Sequence, residues 1–101
     1  MSLNRVLGSK MKELHFESVE HFSNHIKELS VQIIKAGFQD LGRELDIRAT
    51  AYEVPMTGYY SEIYLLLKSA LSNREFSLNE EIHQKTLEAY NACNKILNGE
   101  A

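Results

Sequence analysis

Tyr59-Tyr60-Ser61-Glu62-Ile63-Tyr64-Leu65-Leu66-Leu67-Lys68-Ser69-Ala70-Leu71 is the least charged stretch of the chain, and its reading decides the fold. At about 100° per residue, Tyr60, Ile63, Tyr64, Leu67 and Leu71 fall on one flank of a helix, with Tyr59, Leu66 and Ala70 on the adjoining one. That apolar arc is wider than a surface helix needs. The polar remainder, Ser61, Glu62, Lys68, Ser69 and Ser72, forms a narrow strip in which Leu65 alone is out of place. The pattern predicts a core helix that other segments must cover.

Those segments also read as helices. Ser18 is placed to cap a helix whose stripe is Val19, Phe22, Ile26, Leu29 and Ile33, with Glu20 near its positive end. The register slips at Ala36-Gly37, and a second series, Ile34, Phe38, Leu41, Leu45, Ala49 and Tyr52, predicts a break or kink at Gly37. Residues 45–54 also alternate, so a short strand and an α+β fold are the alternative there. Helix is favoured by the unbroken three-and-four spacing and by the i,i+4 pair Glu44 and Arg48. Pro55 ends this element, and Thr57 is read as the cap of the core helix.

Ser72 to Phe76 reads as a short connection, and Ser77-Leu78-Asn79-Glu80 as a capping box that starts the last helix. Its main stripe is Leu78, Ile82, Ala89, Cys93 and Ile96. A second one, His83, Leu87, Tyr90, Asn94 and Leu97, runs beside it, and Asn98-Gly99 supplies the stop. Residues 2–14 carry Leu3, Val6, Leu7, Met11 and Leu14 at helical spacing, interrupted by Gly8 and Ser9. The expected architecture is all-α: a small antiparallel bundle of about four helices, one domain over 1–101, with residues 1–15 a loosely attached N-terminal arm.

Composition narrows the function classes. The chain has 101 residues, 44% of them hydrophobic and 25% charged, with a formal net charge of −3. That size gives one core and no second domain. The positive residues Arg5, Lys10 and Lys12 gather near the start and Arg43 and Arg48 on another helix, too few for the basic footprint of a nucleic-acid binder. No apolar run is long enough to span a bilayer, and no signal peptide is read at the N-terminus. A single cysteine fits a reducing compartment, so a cytoplasmic location is expected.

Catalytic patterns are weak. Glu17, His21 and His25 stand four residues apart and could ligate a metal from one helix face, with His83 as a distant fourth. Glu17 and His21 point mostly away from the core stripe, however, and the HExxH order is absent. Carboxylates are scattered, with none on a core stripe; Glu80 with His83 makes one Glu-x-x-His, where a di-metal bundle needs two copies. Cys93 lies on the apolar stripe as a small hydrophobe. No glycine-rich phosphate loop or nucleophile elbow occurs. No cofactor is expected, and no catalytic activity.

What remains is aromatic surplus. Tyr52, Met56, Tyr59, Tyr60 and Tyr64 crowd the turn around Pro55, and tyrosine joins a large contact area to a polar tip. Leu87, Tyr90, Asn94 and Leu97 resemble a helix-pairing seam with one polar member to set its register. The expected function is a protein-protein interaction module of the regulator, inhibitor, immunity or adaptor type, partnered by another protein or by itself as a homodimer or larger species. The alternatives are a metal- or ligand-binding bundle using Glu17, His21 and His25, and a nucleic-acid-associated dimeric regulator.

Overall fold

The first helix among the described residues begins where a side chain can replace a missing backbone partner. In the computed structural model, which describes residues 11–52 and 56–99, Ser18 Oγ accepts the His21 amide at 3.0 Å and caps α1 (Val19–Lys35). Phe22, Ile26, Leu29 and Ile33 are buried along it, and Val19 is half-buried. Gly37 breaks the helix with a φ of 105°, a left-handed angle that suits glycine, and α2 (Gln39–Thr50) follows. Leu45 and Ala49 are buried on α2, and Arg48 Nε meets Glu44 Oε2 at 3.2 Å. The 45–54 stretch is therefore helical through Thr50; the end assigned to Pro55 lies outside the described residues.

The core helix is α3 (Met56–Leu71), with Tyr59, Ile63, Leu67 and Ala70 buried. Thr57 lies within its first turn and is not its cap. The connection after it contains one helical turn, α4 (Arg74–Ser77), capped by Asn73 Oδ1 and anchored by buried Phe76, whose ring meets Phe38 edge-on at 5.1 Å. Helix α5 (Glu80–Leu97) starts two residues later than a Ser77 cap would place it. Asn79 Oδ1 accepts the Ile82 amide, while Ser77 Oγ donates to its own helix at Arg74 O. Leu78 is consequently left in the junction, 77% exposed, and does not join the stripe of Ile82, Ala89 and Cys93. Asn98 and Gly99, with a φ of 75°, end α5 as expected.

The contacts give the directions. Gly42 near the start of α2 sits against Ser30 and Ile34 late in α1, whereas Ala49 near its end meets Ser23. Tyr60 meets Cys93 and Tyr64 meets Tyr90, so α3 and α5 run oppositely, and Gln32 and Lys85 join α1 to α5 in the same sense. The result is an all-α antiparallel bundle of four long helices plus the single turn α4, with no strand among the described residues.

One backbone group locks three helices together. The Ala49 carbonyl, at the end of α2 where intrahelical donors run out, accepts Ser23 Oγ–H from α1 at 2.8 Å and Tyr59 Oη–H from α3 at 2.7 Å. Residues 11–16 are not helical. Lys12 N–H donates to Glu88 Oε2 at 3.1 Å, Glu13 pairs with Lys95, and the Phe16 ring stands 5.1 Å from Phe22. A backbone amide committed to a side chain on α5 is not available to a helix here; the rest of the 2–14 reading lies outside the described residues.

Candidate functional site

The tyrosines divide into an inward-packed pair, a seam pair and the exposed Tyr52. Tyr59 is 1% exposed, and burial pushes its hydroxyl to about 12, against a smaller pull from Ser23. It is a core residue, not part of a contact surface. The Tyr60 ring is half-buried, 5.0 Å from Phe22, and burial raises its hydroxyl also. Tyr52 is 49% exposed and stands edge-on to Tyr59, and Met56 is half-buried.

The seam runs where α3 meets α5. Tyr64 and Tyr90 stack with ring centroids 4.9 Å apart and their hydroxyls 3.0 Å apart, and the bond to Tyr64 is the main reason the Tyr90 hydroxyl titrates above its ordinary value. Leu87, Tyr90, Asn94 and Leu97 are all half-buried along α5. Stacking gives the two rings a fixed geometry that leaves their outer surface uncovered. Leu65, out of place in the sequence pattern, is 57% exposed on α3, and Ile47 is 60% exposed on α2.

The histidines are drawn into the cap of α1. His21 Nδ1 accepts the Glu17 amide at 3.2 Å, reciprocating the Ser18 bond. The Phe16 ring lies 5.3 Å from the imidazole of His21 and 5.4 Å from that of His25, an aromatic group against both proposed metal ligands. Glu17 enters this arrangement through its backbone. Among the described residues no three histidine, cysteine, aspartate or glutamate side chains come together to hold a metal ion. Burial lowers the pKa of His25, opposed by Glu28 and Glu88 and assisted by His21 and Lys85.

Cys93 is buried, donates to Tyr60 O at 3.2 Å, and is pushed up to about 12 by burial, so its thiol stays protonated at neutral pH. Arg48 is engaged by Glu44 and, at 4.0 Å, by Glu62, while exposed Arg43 reaches Gln39. No helix among the described residues is long and apolar enough to cross a membrane.

Glu88 escapes the sequence reading. It belongs to the charged row Glu81, Lys85, Glu88 and Lys95, which reads as a solvent face, yet it is 7% exposed. The 11–16 segment lies against it, and no periodicity marks a cover of that kind. No protein-family model, curated protein or solved structure matches the chain.

Proposed function

We propose that this chain is a small helical protein-protein interaction module that pairs with a second copy of itself through the α3–α5 seam. The observation that supports this reading is the half-buried row Leu87, Tyr90, Asn94 and Leu97 on α5, with Tyr90 stacked on Tyr64 of α3. Covering such a seam removes apolar area from water at about 25 cal/mol per Å². The Tyr64–Tyr90 stack also holds two large side chains in place before contact, which reduces the entropy lost on binding. Asn94 gives the seam one polar member, and a two-fold arrangement sets each such residue opposite its own surroundings on the other copy.

Sedimentation velocity tests the reading. The wild type is expected to sediment as a dimer or larger species at about 100 μM, well above a micromolar Kd. Leu87→Asp with Tyr90→Ser is expected to shift it to monomer while circular dichroism still reports a folded helical protein. A wild type that remains monomeric at that concentration refutes self-pairing.

A further inference from the structure

The stacked pair of the seam is placed for a chemistry distinct from contact. Tyr64 and Tyr90 lie nearly parallel, with 19° between their planes, ring centroids 4.9 Å apart and hydroxyl oxygens 3.0 Å apart. The oxygens are closer than the ring centres, so the rings converge toward their hydroxyl ends. The carbons flanking each C–O bond are therefore also nearer one another than the centres are. Those ortho carbons carry much of the unpaired electron of a phenoxyl radical, and two such radicals join there. Both rings are only half-buried, which leaves them room to turn out of the stack as a bond forms.

The other tyrosine contacts lack this arrangement. Tyr59 meets Tyr52 at 85° and Tyr60 at 69°, rim to face, and its hydroxyl is held by the Ala49 carbonyl. The chain has no tryptophan to take the oxidation instead. Cys93 is buried and keeps its proton at neutral pH, which makes its thiol a poor competitor.

We infer that Tyr64 and Tyr90 form an oxidative cross-linking site, joined within one chain by a peroxide-driven one-electron oxidant. Each phenol gives up one electron and its hydroxyl proton. The two radicals form one bond between ortho carbons, and the hydrogens on those carbons move to the oxygens and restore both phenols. Hydrogen peroxide, reduced at a haem peroxidase, takes up the two electrons and two protons and leaves as two waters. The product ties α3 to α5 covalently. It needs only one chain and does not rest on pairing through the seam.

Treating the full chain at about 0.1 μM, below a micromolar Kd, with a haem peroxidase and limiting hydrogen peroxide tests the site. Mass spectrometry is expected to show a monomer lighter by two hydrogens. Cleavage after glutamate puts Tyr64 and Tyr90 in separate peptides, 63–75 and 89–100, each with no other tyrosine, and these are expected to be joined. Tyr64→Phe and Tyr90→Phe are each expected to abolish the joined pair, and Tyr52→Phe to leave its yield unchanged. Wild type unfolded in urea is expected to lose the preference for this pair. Absence of coupling, a dominant link at Tyr52, Tyr59 or Tyr60, a product mainly between chains, or survival of the lighter monomer in Tyr90→Phe overturns the proposal. Should the phenylalanine variants not fold, an equal yield of the joined pair from folded and urea-unfolded wild type overturns it as well.

Discussion

Removing both hydroxyls that reach the Ala49 carbonyl is expected to cost more than the two removals taken separately. Ser23 Oγ and Tyr59 Oη approach that oxygen at 2.8 and 2.7 Å, in a core where Ser23 is 2% and Tyr59 1% exposed. In Ser23→Ala or Tyr59→Phe the carbonyl keeps one donor, so each single change loses one hydrogen bond, about 1 kcal/mol. In the double variant the carbonyl keeps neither hydroxyl, and the desolvation cost of an unpartnered buried acceptor, roughly 1–3 kcal/mol, is added. The double variant should therefore lose about 3–5 kcal/mol, with a coupling energy on the order of 1–3 kcal/mol. Urea denaturation of the four proteins at pH 7, where Tyr59 keeps its proton, measures this, provided the m-values agree. Additivity within about 0.3–0.5 kcal/mol would refute the shared-acceptor account.

Two further outcomes concern packing and pH. Gly42→Ala gains up to about 1 kcal/mol of helix propensity. The new Cβ, however, would overlap Ile34 Cγ1 and stand 2.9 Å from the Ser30 carbonyl oxygen, which no rotamer change relieves. Overpacking of about 1–3 kcal/mol wins, and thermal unfolding should show a Tm lower by about 4–8 °C per kcal/mol lost; an unchanged or raised Tm refutes the close approach. For His25, burial lowers the folded-state pKa below its unfolded value of about 6.5, so the unfolded chain takes up the proton first. The neutral imidazole's stabilising share is complete above that pH and is lost as pH falls from it through the lower folded-state value. His25→Gln should flatten the decline in denaturation free energy between pH 7 and pH 5; an identical decline in both proteins counts against the assignment.

Much of the fold was legible because it rests on periodicity. The apolar spacing of Phe22, Ile26, Leu29 and Ile33, the slip at Gly37 and the surplus of α3 each leave a direct trace in residue order. Helix starts were less legible where two caps compete. Ser77 and Glu80 match a capping box, but Asn73 captures the preceding turn, Phe76 buries it, and the start of α5 passes to Asn79. The candidate surfaces were only partly readable for a related reason. Periodicity marks Tyr59 and Tyr60 as neighbours on one helix, but only the meeting of α1, α2 and α3 decides that Tyr59 is enclosed while Tyr52 stays open. Glu88 was illegible, because its cover comes from a segment 76 positions earlier that has no regular structure.

The grip of residues 12–16 on the last helix bears on the order in which the chain can assemble during synthesis. Helices α1 and α2 are sequence neighbours and can pair as soon as Thr50 has cleared the ribosome, a local event with little loop to close. Lys12 and Glu13 must wait for Glu88 and Lys95, so their attachment cannot precede the synthesis of α5. Until then the nascent chain carries a ready hairpin and an unshielded α3, and the arrival of α5 closes the bundle and fastens residues 12 and 13 in a single step.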